Sequence, residues 1–158
     1  SLDVGVRAGG YYGDMAVTVM VGAADPERVR LVAVTRAALE AGIAMARAGR
    51  RLSDISAAIE QTAAAAGFSV VREFVGHGIG RAMHEDPPVP NFGPAGRGPI
   101  LAAGMALAIE PMVNAGGAAV SVLADGWTVV TRDRRPSAHF EHTILVGEAG
   151  AEVLTSAE

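Results

Sequence analysis

Cysteine is missing from all 158 residues of this chain. Its absence removes disulfides, thiolate ligands and a cysteine nucleophile together, so any metal must be held by carboxylates and imidazoles. Lysine is missing too: all thirteen basic residues are arginine, which removes lysine catalysis. No basic stripe accompanies the formal charge of -4, and the clusters at Arg50-Arg51 and Arg132-Arg134-Arg135 are too short to track a phosphate backbone. Nucleic acid is therefore not expected as a partner. Apolar runs of bilayer length are lacking, and the opening "SLDVGV" has neither the charged nor the apolar region of a signal peptide. The expectation is a soluble chain with no membrane attachment.

What is present describes a globular protein. Half of the residues are apolar and 19% are charged, and the length suits one domain, residues 1–158, with a core of its own. "SLDVGVRAGGYYGDMAVTVMVG" reads as a hairpin with strands over residues 2–7 and 14–21, turned at Gly9 and Gly10. The chain opens inside the first strand without an initiator Met, and the expectation is a fragment of a longer polypeptide. Asp25-Pro26 predicts the cap and first turn of a helix that runs to Gly49. Ser53 is expected to cap a second helix ended by Gly67, with a strand over residues 68–74 behind it. Residues 87–99, dense in Pro and Gly, predict an extended loop; "GMALAIEPMVNAG", "WTVVTRD" and "HFEHTILVG" read as strands. This order predicts an α+β domain with helices packed on one side of a mainly antiparallel sheet.

Several residues carry chemistry. Asp3 and Asp14 stand one on each hairpin strand, where a turn near Gly9 brings carboxylates together; alone, such acids are usually solvated. His77 in "GHGIG" and His84 in "MHEDP" lie among glycines and prolines in "EFVGHGIGRAMHEDPP". Glycine on both sides of His77 lets the backbone come close and fixes the angle of the imidazole. Glu110 in "LAIEPMV" and Glu141 in "HFEHTILV" are carboxylates inside apolar strands, which need a cation, a hydrogen-bond network or a metal beside them if they point inward. Strand alternation by itself does not settle which face either takes. Together Asp3, Asp14, His77, Glu110 and Glu141 make a hard, oxygen-rich set suited to two divalent ions, and four packed negative charges would repel without cations between them.

The motifs "LDVGVRAGGYYGD", "FVGHGIGRAMHEDPPVPNFG", "GMALAIEPMVNAGG" and "DGWTVVTRDRRPSAHFEHTI" resemble, in order and through nearly the whole chain, those of the type I methionine aminopeptidases, metallopeptidases of the pita-bread fold. The resemblance implies a cytoplasmic enzyme that removes the initiator methionine from nascent proteins or peptides, with a hydroxide activated by two divalent ions (Co, Mn, Fe or Zn). It implies a metal set of Asp3, Asp14, His77, Glu110 and Glu141, with Asp14 and Glu141 bridging. His84 would contact the substrate carbonyl, and Glu110 would carry the proton. Met83, Met112, Trp127 and His139 resemble substrate-pocket positions, and His142 a group supporting the site from behind. The family's N-terminal lobe has no counterpart here, so the chain corresponds to the C-terminal part of the fold with its metal site complete. The partner is a peptide or nascent N-terminus, with the ribosome a further one, and the full-length protein is expected to be a monomer. Three positions depart from the family's pattern: Met83 stands where an aromatic is common, Tyr12 where His is common, and His139 where Gln is common. Two other readings are a pita-bread peptidase with another preference, such as proline-directed cleavage, and a truncated or protein-binding module that holds metal without turnover.

Overall fold

The computed structural model describes residues 1–156. Its first hairpin pairs β1 (Leu2–Ala8) with β2 (Tyr11–Val17) through Gly9 and Gly10. Both glycines have positive φ, 58° and 88°, the turn geometry whose twist matches that of the strands. Helix α1 (Pro26–Met45) starts as expected, with the Asp25 carboxylate accepting from the Arg28 N–H at 3.0 Å. It stops short of Gly49: the Ala46 N–H turns back to the Ile43 carbonyl at 2.9 Å.

Helix α2 (Leu52–Ala65) is followed by Gly67 at φ 77°, the left-handed residue that ends a helix cheaply. Ser53 does not cap it. The serine lies within the first turn, where its hydroxyl accepts from the Arg97 N–H at 2.7 Å, and the Asp54 carboxylate accepts from the Arg51 N–H at 3.3 Å. Gly42 lets the helices close on each other, since a Cβ there would lie 2.8 Å from Ile59 Cγ1.

The strands that follow are shorter than their apolar runs suggest. Only β3 (Ser69–Val70) forms within residues 68–74, because the Glu73 carboxylate takes the Arg72 N–H at 3.2 Å and bends the chain. After β4 (Gly76–Gly78) comes β5 (Glu85–Val89), which runs into the first residues of the stretch 87–99 expected to be loop. It sits at a sheet edge, where Pro87 and Pro88 need not donate to a neighbour. The run "GMALAIEPMVNAG" is broken at Glu110-Pro111 into β6 (Ala106–Ile109) and β7 (Met112–Asn114), since Pro111 has no N–H to continue a ladder. Beyond β8 (Val120–Val122) and β9 (Val129–Thr131), "HFEHTILVG" is likewise broken at Phe140, into β10 (Ser137–His139) and β11 (Glu141–Val146); β12 (Ala151–Val153) closes the order.

The main antiparallel sheet runs β1-β2-β11-β6-β4-β5, with β12 alongside β11. A second sheet, β10-β7-β3, continues from it, and β8-β9 form a separate ribbon. The antiparallel pairs β6/β11 and β7/β10 belong to different sheets. Their shared ribbon turns from one sheet into the other at Glu110 and at Phe140-Glu141. Both helices pack on one face of this curled assembly, where Leu107, Ile109, Ile144 and Val146 are buried with Leu31, Leu39, Ile55 and Ile59. Among the described residues no helix is long and apolar enough to cross a membrane.

Candidate metal centre

Register alone gathers the acids on the face away from the helices. Asp3 lies opposite Ala16 and Gly5 opposite Asp14; Glu141 also faces Ala16, while Thr143 and His77 both face Ala108. Opposed residues share a face and the side-chain period is two, so Asp3, Asp14, His77 and Glu141 point the same way. Glu110, two residues beyond Ala108 at the broken end of β6, joins them.

The His77 ring is held by its own strand. Its Nδ1 lies 2.9 Å from the Gly78 carbonyl, so the proton sits on Nδ1 and the Nε2 lone pair faces the carboxylates. Nε2 is 3.4 Å from Glu110 Oε1 and 4.0 Å from Asp14 Oδ2. Two sets of candidate ligand atoms, each drawn within 4.8 Å, result: Asp14-His77-Glu141 and Glu110-His139-Glu141, with Glu141 common to both. Asp3 lies outside both sets on an exposed strand, near enough that its charge raises the pKa of Asp14, Glu110 and Glu141.

Electrostatics in the ion-free protein are strained. Burial first, then the charges of Asp14 and Asp3, push the Glu110 carboxyl up to about 8. Burial followed by Glu110, Asp14 and Asp3 pushes Glu141 up to about 9. Asp14 is raised by burial and by Asp3, against the opposing pull of His77 and His84. Asp14 Oδ1, Glu141 Oε1 and His139 Nε2 are buried with no hydrogen-bond partner among the described residues. Each such atom ordinarily costs about 1–3 kcal/mol. Three of them converging on one acidic space fit a bound cation, which would satisfy the orphaned atoms and hold the carboxylates ionised.

Neighbouring groups fix the backbone of this cluster. The Asp14 N–H donates to Thr143 Oγ1 at 2.8 Å while the same hydroxyl donates to the Asp14 carbonyl at 2.9 Å. Thr18 treats His139 alike, its hydroxyl accepting from the His139 N–H and donating to the His139 carbonyl, each at 2.9 Å. Asn91, fully buried, donates to the Glu110 carbonyl at 3.2 Å. Sequence reasoning missed all three. The available signal was a polar side chain at an inward position, Thr143 standing two residues after Glu141.

The other sequence-predicted residues divide. His84 is exposed and sets its ring edge-on to His77, centroids 4.4 Å apart. The Met83 side chain lies directly over Gly5, opposite Asp14, with its terminal methyl in the space a Cβ at position 5 would take. Met112, Trp127, His139 and Glu110 line a cleft of about 660 Å³ with Asp3 and Phe74. Trp127, 87% exposed, projects from the turn between β8 and β9. His142 does not join the site: opposite Ile109, it faces the helices, beside Arg36 and Glu40 of α1, with Nδ1 3.0 Å from the Thr155 hydroxyl.

Residues 1–148 match Metallopeptidase family M24. The chain is 54% identical over 155 residues to a methionine aminopeptidase of Clostridium perfringens, and 51% identical over 155 residues to methionine aminopeptidase 1 of Bacillus subtilis. Each match covers 98% of this chain and 62% of the relative, so the chain spans less than two thirds of their length. The crystal structure of methionine aminopeptidase from Thermotoga maritima superposes with a TM-score of 0.96 at 53% identity, over 98% of this chain and 62% of that one.

Proposed function

The chain belongs to metallopeptidase family M24 and has its pita-bread fold, and we propose that it is the metal-bearing part of a cytoplasmic aminopeptidase that removes methionine from the N-termini of peptides and nascent proteins. The observation that carries this reading is the pair of ligand sets sharing Glu141, with orphaned buried atoms turned into the same space beside an open cleft. Two divalent cations, from among Mn, Fe, Co and Zn, would supply a lowered water pKa and a polarised scissile carbonyl when bound.

The residues divide the remaining work. Asp14, His77, Glu110 and Glu141 would hold the cations, with Asp3 closing from the rim. Glu110 carries the proton: its carboxyl is raised in the ion-free protein by burial and neighbouring acids, and opposite charge beside it restores a carboxylate. That carboxylate can take a proton from the attacking water and return it to the leaving amine. His84, on the solvent side of His77, can donate to the substrate carbonyl as charge develops there. Met112 and Trp127 on the cleft wall would meet the first side chain, with Met83 bordering the carboxylates.

The test is release of methionine from a Met-Ala-Ser peptide by the chain, first stripped of metal and then supplied with Mn or Co. Release that depends on metal is expected. A chain that binds metal yet frees no methionine would overturn the assignment of turnover to this chain. A peptide panel varied at its first two positions checks specificity, since faster cleavage before proline would assign the proline-directed branch instead.

A further inference from the structure

We infer that Gly5 is a positioning residue: it seats the Met83 thioether, and through Met83 it sets how the site receives the first side chain of the substrate. The inference rests on the aminopeptidase reading above and deepens it, since that reading sets Met83 beside the carboxylates without saying what holds it there. Gly5 stands in the middle of β1, paired with Asp14, and its φ is not positive. Its backbone conformation therefore does not call for glycine, and glycine inside a strand weakens it. What the missing side chain leaves is space, and Met83 occupies it. A Cβ at position 5 would overlap the Met83 terminal methyl and lie 3.0 Å from its Sδ.

The thioether is delivered there by a short segment tied at both ends. Between β4 and β5 the Gly80 carbonyl accepts from the Tyr12 N–H at 2.8 Å, and the Ala82 N–H donates to Glu85 Oε1 at 2.7 Å. These bonds hold the segment against β2, so that Met83 reaches Gly5 while His84 meets His77. Gly5 and Asp3 are successive residues on one face of β1, about 7 Å apart, and Asp3 borders the cleft that Met112 and Trp127 line. The seated thioether thus lies one side-chain step from the cleft, where an unbranched, polarisable chain can adapt to an apolar partner. The same Cβ would be 3.6 Å from Asp14 Oδ1, an ordinary contact. A methyl group at position 5 would therefore turn the thioether away and leave the ligand carboxylate where it is.

The experiment compares the chain with Gly5→Ala, Met83→Ala and the double variant, loaded with Zn for spectra and with Co for kinetics. Methionine methyl groups are isotope-labelled for NMR, and the loss of one of six methyl signals in Met83→Ala identifies Met83. Gly5→Ala should move that signal and leave the bound Zn, counted by elemental mass spectrometry, unchanged. Free methionine, the product, should shift the same signal in the unsubstituted chain. For a Met-Ala-Ser peptide, KM should rise about tenfold in Gly5→Ala, the low end of the worth of one methylene contact in a pocket, with kcat unchanged. Met83→Ala should raise KM alike, and adding Gly5→Ala to it should raise KM no further, because the side chain that Gly5 acts through is gone.

A Met83 signal that stays in place in Gly5→Ala would overturn the inference whether or not the chain turns over. Loss of Zn from that variant would overturn it by moving the effect to Asp14. An unchanged KM in Gly5→Ala, or equal rises in KM with and without Met83, would do the same. Failure of the unsubstituted chain to release methionine, together with no response of any methyl signal to free methionine, would remove the aminopeptidase reading itself, an outcome distinct from the others.

Discussion

Glu110→Gln preserves the size of the side chain and removes its capacity to carry a proton. Peptide hydrolysis is expected to fall by about 10²–10⁴-fold, the usual worth of a positioned acid or base, with circular dichroism unchanged; an active variant would move the proton to another group. His77→Ala should lower bound metal and rate together, and unchanged metal content would remove His77 from the ligands. The raised carboxyls also give a signed pH dependence. Glu110 and Glu141 have folded values of about 8 and about 9 against 4.5 when unperturbed, so the ion-free fold binds more protons than the unfolded chain. Their contribution to stability is complete below about pH 4.5 and is lost as pH rises through about 8 to 9. The melting temperature of metal-stripped protein should therefore fall as pH rises across that window, and saturating metal should remove the decline. At this scale the sequence was informative about residue type: without cysteine or lysine, a set of carboxylates and imidazoles pointed to hard or borderline divalent ions. It was silent on direction, because His139 and His142 stand three residues apart near a strand break and turn to opposite sides of the sheet.

At the scale of elements, the site depends on strands that stop. β6 ends at Glu110 because Pro111 cannot donate, and β11 begins at Glu141 after the kink at Phe140, so both carboxylates sit where one sheet hands over to the next. Thr143 spans β2 and β11 just beyond their last ladder pairs, replacing backbone bonds with a hydroxyl that both accepts and donates. Thr143→Val keeps the volume and leaves the Asp14 N–H and carbonyl without this partner. A loss of about 1–3 kcal/mol is expected in denaturant unfolding, with weaker metal binding, and Thr143→Ser should recover most of both. The hairpin turn and the start of α1 were legible because their causes lie within a few residues: paired glycines at positive φ, and Asp25 before Pro26. The broken strands were not, since apolar runs such as "ALAIEPMV" satisfy strand periodicity on both sides of a proline whose effect depends on which neighbour it would have faced.

At the scale of the whole molecule, one sheet face carries the stability and the other the chemistry. Ile144, fully buried against the helices, lies on the strand that also begins with Glu141. Ile144→Ala should cost about 2–5 kcal/mol in unfolding free energy by cavity formation, read as a lower denaturant midpoint with little change in metal stoichiometry. Metal should raise the melting temperature in proportion to the logarithm of its free concentration above the dissociation constant, because the unfolded chain holds no assembled ligand set. What the sequence by itself determined was local: which residue types were available as ligands, where the chain turns at Gly9-Gly10, where α1 begins, and the order of motifs that marks the family. The tertiary structure decided which of those residues meet. Asp14 and Thr143, 129 positions apart, share hydrogen bonds only because antiparallel register sets β2 beside β11, and register is fixed by burial of the opposite face rather than by any neighbour in the chain. The same long-range pairing turned His139 toward the carboxylates and His142 toward the helices, a choice that no periodicity within "HFEHTI" could make.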